Sequence, residues 1–455
     1  MSYSGKTVLV AGAARSGIAA TRFLLAGGAR VILTDIKTRD ALEPVIAPLL
    51  ELTGSSERLI LEIGGHREES FRECDLIVVS PGIPLALPVF GISRKAGIPI
   101  IAEIELAYRH LKGRIIGITG SNGKTTTTAL VASLLNSAGL KSYASGNIGA
   151  PLISFASGSA PEDIYAVELS SFQLEGIHDF RPFVGSILNL TPDHLDRYPG
   201  FEEYIRAKRR LLNNQTATDY AVLNADDVRT AAMAAGIKAR PVLFSRAGEV
   251  KRGAFVRSGR AVYRDEEEEK DLFAVSAVPL RGGHNLENVL AACSMAILAG
   301  ASPDTLEEGV RRFKGVEHRI EFVRELNGVQ YFNDSKATNV GATIKSLEAF
   351  PGNILLIAGG QDKAGDFTAL RSLVRERVKH LILIGEAAGK IKKALSGVVD
   401  TSEAQSMSEA VALCSRAARP GDVVLLAPAC ASFDMFQDYE HRGRVFKDEV
   451  RKITA

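Results

Sequence analysis

The sequence predicts an α/β protein of three doubly wound domains with mostly parallel sheets. Three observations carry this. Short β-branched runs alternate with helix-like stretches along nearly the whole chain of 455 residues. At roughly 150 residues per domain, that length suggests about three units. The strand-like runs are apolar throughout rather than alternating, as strands covered by helices on both faces must be.

The elements follow in order. KTVLVAG (6–12), ARVILTD (29–35) and CDLIVVSPG (74–82) read as buried parallel strands ending in turns. GRIIGITG (113–120), IYAVELS (164–170) and FVGSILNL (183–190) repeat the pattern, and GNILLIAGG (352–360), HLILIG (380–385) and GDVVLLAPA (421–429) repeat it again. Joints are expected near 99–110, before a fresh strand, and near 313–322, where a helical stretch gives way to strands. The expected domains are therefore 1–102, 103–315 and 316–455. Residues 241–281 differ, with short strands and the acidic run RDEEEEK (264–270), the pattern of a solvated hairpin tip. In sheets of this kind ligands bind beyond the carboxyl ends of the strands.

Composition narrows the function classes. Hydrophobic residues make up 46% and charged residues 24%, enough apolar material for a core in each domain. A formal net charge of +2 gives no argument for a nucleic-acid partner. Cys74, Cys293, Cys414 and Cys430 lack CxxC or CxH spacing, which argues against a disulfide framework or structural zinc and fits a reducing cytosol. The apolar run Val8–Ala14 is cut short by Arg15 and lacks the shape of a signal peptide. No apolar run approaches the ~20 residues a membrane helix needs.

The chemistry centres on GITGSNGKTTTTAL (117–130). A P-loop usually reads G-x-x-x-x-G-K-[ST]. Here Ile118 stands at the first glycine position, and Gly120 makes a tighter G-x-x-G-K-T. Gly120 and Gly123 let the backbone of Ser121 and Asn122 turn its N–H groups toward phosphate oxygens. A helix beginning at Lys124 presents its positive end to the same anion. Lys124 adds a point charge, Thr125 offers a hydroxyl to magnesium, and Thr126 follows. The plainer alternative is a simple glycine turn; the strand before it, the Lys-Thr pair and the helix after it favour phosphate.

Magnesium takes oxygen ligands, often one or two carboxylates with phosphate and water. Glu168 ends a buried strand, where a charge is costly without a cation, so a metal ligand is favoured over a cap. NLTPDHLDRY (189–198) packs Asp193, His194 and Asp196 into the turn after another buried strand. His194 is either a ligand or a structural turn residue. Lys208 lies in a basic helical stretch with Arg206, Arg209 and Arg210, and by spacing alone reads as a solvated face. GAARSG (12–17) is a weakened dinucleotide fingerprint in which Ala14 replaces the middle glycine, and Asp35 ends the next strand. Read alone, it suggests an oxidoreductase.

GSNGKTT, ELSSFQLE, NLTPDHLDRY, GGHNLENVLAA, HRIE, NDSKATN and APACASFD occur in that order, and together they resemble the Mur ligases along essentially the full chain. NDSKATN (333–339) with PACAS (428–432) is similar to the members that add D-glutamate. The phosphate loop is shared with folylpolyglutamate synthases, which leaves a relative of that type, or another Mur-type ligase, as alternatives. A nucleotide-switch module without catalysis is a further one.

The resemblance implies Rossmann-like N- and C-terminal domains around a central P-loop ATPase. It implies a cytoplasmic, ATP-dependent carboxylate–amine ligase of peptidoglycan precursor synthesis, acting on UDP-N-acetylmuramoyl-L-alanine and D-glutamate as a monomer. ATP would lie on residues 120–126 with Asn288, Arg319 and Asp334. The UDP substrate would meet Arg15, Ser16, Asp35, Lys37, Gly82 and Asn147. D-Glutamate would meet Thr338, Lys363, Ser432 and Tyr439, the last often phenylalanine in the family. Two magnesium ions would be held by Thr125, Glu168, His194 and a carbamylated Lys208, with Asp193 and His194 near the reacting centre. Carbamylation needs a neutral amine, so the Lys208 pKa must be lowered by nearby cations or metal; Arg206, Arg209 and Arg210 would serve if close. Individually, Lys363 also reads as a surface loop lysine and Asn288 as a helix surface residue.

Overall fold

The computed structural model describes residues 2–53, 57–193, 197–266, 268–362 and 365–454. Among them the strands form three sheets. The first contains β1 (Thr7–Ala11), β2 (Arg30–Asp35), β3 (Leu59–Ile63), β4 (Leu76–Val79) and β5 (Ile100–Ala102) in the order β3-β2-β1-β4-β5. All of its pairings are parallel. The continuous apolar runs have the cause expected of them. Val8, Val10, Val31 and Leu33 face one core, while Leu9, Ala11, Ile32 and Ile77 face another on the opposite side.

The second sheet contains β6 (Arg114–Thr119), β7 (Ser142–Gly146), β8 (Ile164–Glu168), β9 (Val184–Ile187), β10 (Tyr220–Asn224) and β11 (Arg240–Ser245). It continues into β12 (Gly253–Arg257), β13 (Arg260–Asp265) and β14 (Glu268–Ala274). The order is β14-β13-β12-β11-β10-β9-β6-β8-β7, and β12, β13 and β14 form an antiparallel edge. The acidic run 264–270 spans the turn between β13 and β14, as its composition predicts, and Glu269 pairs there with Arg257 and Arg264. β6 lies between β8 and β9, so the segment after it emerges inside the parallel part of the sheet.

The third sheet contains β15 (Glu321–Leu326), β16 (Val329–Asn333), β17 (Ile354–Gly359), β18 (Val378–Ile384), β19 (Thr401–Glu403) and β20 (Val423–Leu426). Its order is β15-β16-β20-β17-β18-β19, parallel apart from β15. Leu356 and Leu425 face one core, Leu355 and Val424 the other.

The chain divides into two compact units, 1–277 with 287–310, and 278–286 with 311–455. The first unit holds two sheets, and the short helix Glu103–Tyr108 fastens one to the other. Glu105 is buried and accepts hydrogen bonds from the backbone N–H groups of His178, Asp179 and Phe180 and from the Arg109 Nε. Glu103 is also buried; its Oε1 accepts from the Ile153 N–H at 2.7 Å, and its Oε2 has no partner among the described residues. Burial without a cation lifts the Glu103 pKa to about 7.

That shift has a sign. The folded-state value lies above the unfolded one, near 4.5, so the folded protein binds the proton more tightly. Stability relative to a Glu103→Gln variant should be lost as the pH rises from about 4.5 through 7, reaching about 3 kcal/mol above that range. Thermal unfolding of both proteins at pH 5 and pH 8 reads this directly. The variant should gain on the wild type at pH 8, and an equal gap at both values would contradict the account.

No helix among the described residues is long and apolar enough to cross a membrane.

Candidate active site

The bend after β6 forms the base of the site. Gly120 and Gly123 have φ of +147° and +83°, in the region where a side chain is strained. A Cβ on Gly123 would lie 2.2 Å from the Asn288 Oδ1, so Asn288 abuts the loop through the missing side chain. This backbone, followed by the helix Lys124–Ser137, has the strand–bend–helix geometry that suits an anion. The Lys124 ammonium folds back to donate to the carbonyls of Gly120 and Ser121, both at 2.8 Å.

The loop is also held from the neighbouring strand. The Asn189 side chain accepts from the Asn122 N–H at 2.8 Å and donates to the Asn122 carbonyl at 3.0 Å. Ser121 Oγ donates to the Thr191 carbonyl and accepts from the Thr191 N–H. Asn189 and Thr191 were not singled out from the sequence; their signal is the NLT directly after the β9 run. Gly123→Ala should weaken ATP binding about tenfold and destabilise by about 1–2 kcal/mol, since the new side chain is strained at this φ and displaces Asn288. Calorimetric titration with ATP, paired with a melting curve, checks this; wild-type affinity would contradict it.

Lys208 corrects the reading from spacing. It is not on a solvated face but 1% exposed. The helix Phe201–Arg209 turns Tyr204, Ala207 and Lys208 inward on one stripe. The Lys208 ammonium donates to the Gly120 carbonyl at 2.9 Å and lies 4.5 Å from the centre of the Tyr204 ring. Its pKa is pushed well below the ordinary lysine value, first by burial and then by the charge of Lys124, against smaller opposite effects of Asp193 and Glu168. The depressing cation is thus Lys124 and not the neighbouring arginines. Arg206 pairs with Glu203, Arg209 donates to the Gly236 carbonyl, and Arg210 donates to the carbonyls of Leu174 and Ile177.

Glu168 ends β8 at the same sheet edge and is 2% exposed. Its Oε1 accepts from the Asn147 side chain at 3.0 Å. Thr125 is buried at the start of the helix after the loop. A carboxylate and a hydroxyl beside an anion cradle are hard oxygen donors, the set magnesium prefers. His194 and Asp196 lie outside the described residues.

In the first sheet, the carboxyl ends of β1, β2 and β4 converge. The Asp35 carboxylate accepts from the backbone N–H groups of Ala13 at 2.8 Å and Lys37 at 2.9 Å, bracing the GAARSG turn. Ser80, just before Gly82, donates to the Gly12 carbonyl at 3.0 Å. A Cβ on Gly17 would fall 1.8 Å from the Gly12 carbonyl oxygen, so the helix can start here only with glycine. Arg15 begins that helix with Ser16 and donates to the Gly149 carbonyl.

In the second unit, Asp334 is buried beside Arg319, and burial lifts its pKa to about 6 against the lowering effects of Ser346 and Arg319. Thr338 follows on the same turn. Ser432 is buried, and Tyr439 receives a hydrogen bond on its hydroxyl from Lys336 at 3.0 Å. Lys363 lies outside the described residues. Glu317, His318 and Glu321 cluster nearby, but the Lys447 ammonium already pairs with both glutamates.

The chain matches the Mur ligase MurD-like N-terminal domain over 6–102, the Mur ligase middle domain over 118–296 and the Mur ligase glutamate ligase domain over 318–430. The chain belongs to the Mur ligase family. Among its relatives, this Mur ligase is 49% identical to the UDP-N-acetylmuramoylalanine–D-glutamate ligase of Koribacter versatilis, covering 100% of this chain and 99% of the relative. It is 48% identical to the enzyme of the same name from Geotalea uraniireducens, again covering 100% and 99%. The fold is shared with a pseudomurein peptide ligase type C from Methanothermus fervidus, at a TM-score of 0.61 and 19% identity over 99% of this chain and 100% of that one. MurF ligase from Thermotoga maritima, solved with ADP, matches at 0.61 and 17% identity over 99% and 96%.

Proposed function

We propose that this Mur ligase joins D-glutamate to UDP-N-acetylmuramoyl-L-alanine at the expense of ATP, in peptidoglycan precursor synthesis. One observation carries the chemistry: two lysines, Lys124 and the buried Lys208, meet on the Gly120 carbonyl of a glycine cradle built for phosphate. The identity of the amino acid rests on relatives named for D-glutamate along their whole length.

A carboxylate is a poor electrophile, because its negative charge is delocalised. Its oxygen attacks the γ-phosphorus of ATP and ADP leaves, giving an acyl phosphate. The D-glutamate amine then attacks the acyl carbon, and phosphate departs from the tetrahedral intermediate. The protein must bring anions together and neutralise them. The backbone of 120–126 with Thr126 cradles the phosphates, and Lys124 supplies a point charge to the outer ones. Asn288, Arg319 and Asp334 complete the ATP contacts. Arg15, Ser16, Asp35, Lys37, Gly82 and Asn147 take the UDP substrate. Thr338, Lys363, Ser432 and Tyr439 take D-glutamate.

Magnesium would be held by Thr125, Glu168, His194 and carbamylated Lys208, and when bound it stabilises charge on the transferring phosphoryl group. Buried Thr125 and Glu168 are donors of the right kind, and the depressed Lys208 pKa favours the neutral amine that carbamylation needs. Asp193 lies near enough to act electrostatically on Lys208. Domain limits of 1–102, 103–315 and 316–455, a cytoplasmic location and a monomeric state belong to the same reading.

Phosphate release measured with each substrate omitted in turn is the test. It should require ATP, UDP-N-acetylmuramoyl-L-alanine and D-glutamate together, with L-glutamate, L-lysine and diaminopimelate inactive. Release supported by another amino acid, or without one, would overturn the assignment.

A further inference from the structure

We propose that Arg442 is a positioning residue for the amino-acid substrate, holding in one fork the two loops that carry Thr338 and Ser432. The proposal rests on the D-glutamate reading above and deepens it.

Arg442 lies in the first turn and a half of the helix Tyr439–Lys452 and is 0% exposed. Its guanidinium makes hydrogen bonds to neutral acceptors only. Nε donates to the Ser335 Oγ at 2.9 Å. One terminal nitrogen donates to the Ser335 carbonyl at 2.8 Å and the Cys430 carbonyl at 3.2 Å. The other donates to the carbonyls of Cys430 at 3.2 Å and Ala431 at 3.1 Å. Among the described residues no carboxylate touches it. Burial draws its pKa down only to about 10, so the charge persists at neutral pH.

Asp434 acts on this charge only from beyond hydrogen-bonding distance, and a buried guanidinium with no carboxylate in contact is an expensive way to join two loops. Its rigid planar fork explains the choice, because it fixes several acceptors from separate segments at once, which a lysine cannot do. The loops need such fixing. Ala429 adopts φ +60° without being glycine, and its N–H donates to the Ala337 carbonyl at 2.9 Å. Ala431 pairs in both directions with Gln361 at 3.0 Å. Ser335 Oγ in turn donates to the Tyr439 carbonyl at 2.8 Å. Arg442 therefore sits where the turn 333–339, the loop 428–432 and the helix bearing Tyr439 meet.

The test is steady-state kinetics of the full-length chain carrying Arg442→Lys or Ser335→Ala, with each substrate varied and a melting curve for each protein. The KM for D-glutamate should rise about tenfold or more in Arg442→Lys and several-fold in Ser335→Ala, while KM for ATP and the UDP substrate stays within about twofold. A folded Arg442→Lys with wild-type KM for D-glutamate would overturn the proposal. So would an equal rise of all three KM values, which marks a merely structural role. If Arg442→Lys does not fold, Ser335→Ala decides by the same criterion. A wild-type enzyme that fails to use D-glutamate is seen before any variant is made and defeats the functional reading itself, and this inference with it.

Discussion

Lys208→Ala should abolish turnover while the protein stays folded, and formate or acetate should return part of the activity. The expected loss is on the order of 10³-fold, the scale on which one electrostatic contact in a dry phosphoryl-transfer site acts. The side chain is sealed between the Gly120 carbonyl and the Tyr204 ring, where its charged form is disfavoured. A buried amine whose charged form is disfavoured adds little to stability, so the variant should stay folded. The amine serves chemistry if it captures carbon dioxide and offers carboxylate-like oxygens. A small carboxylic acid entering the space left by the side chain supplies similar oxygens, which is the basis of the rescue. Full activity in the plain variant would refute the carbamate role.

Lys124→Ala should lower kcat by about 10²–10³-fold and also move the pH profile of the remaining activity. The first effect follows from the loss of the point charge folded over the loop, where it bonds Gly120 and Ser121. The second follows from the coupling to Lys208. Lys124 is the cation that lowers the Lys208 pKa, so its removal lets that value rise. Lys208 then keeps its proton to higher pH, and the acidic limb of the rate profile should shift in the alkaline direction. A profile unmoved from the wild type would show that the two lysines do not act on each other.

Much of this was legible because it is local. Gly120 and Gly123 are read from spacing, since only glycine takes those φ values in a bend this tight, and both have them. The apolar runs became parallel strands because burial on both faces demands an unbroken run. Glu168 was legible as a charge ending such a run, as was Asp35. Lys208 was not, because its burial depends on a partner 88 positions away in the chain, whereas the basic residues beside it suggest solvent. Arg442 was invisible for the same reason. Its helix is rich in charge, with Arg444, Lys447 and Arg451 as neighbours, and only the return of residues 335 and 430–431 from elsewhere in the sequence buries it. Glu103 and Glu105 were not singled out from the sequence either, because their burial comes from the segments around Ile153 and 178–180, which close over them.

The central claim is that the phosphoryl group held by the glycine bend passes to a substrate carboxylate oxygen before the amide forms. UDP-N-acetylmuramoyl-L-alanine carrying ¹⁸O in its alanyl carboxylate tests this in one turnover with ATP and D-glutamate. The released phosphate should contain one ¹⁸O atom drawn from the carboxylate, read by mass spectrometry. Phosphate free of the label, with the amide formed, would contradict the account.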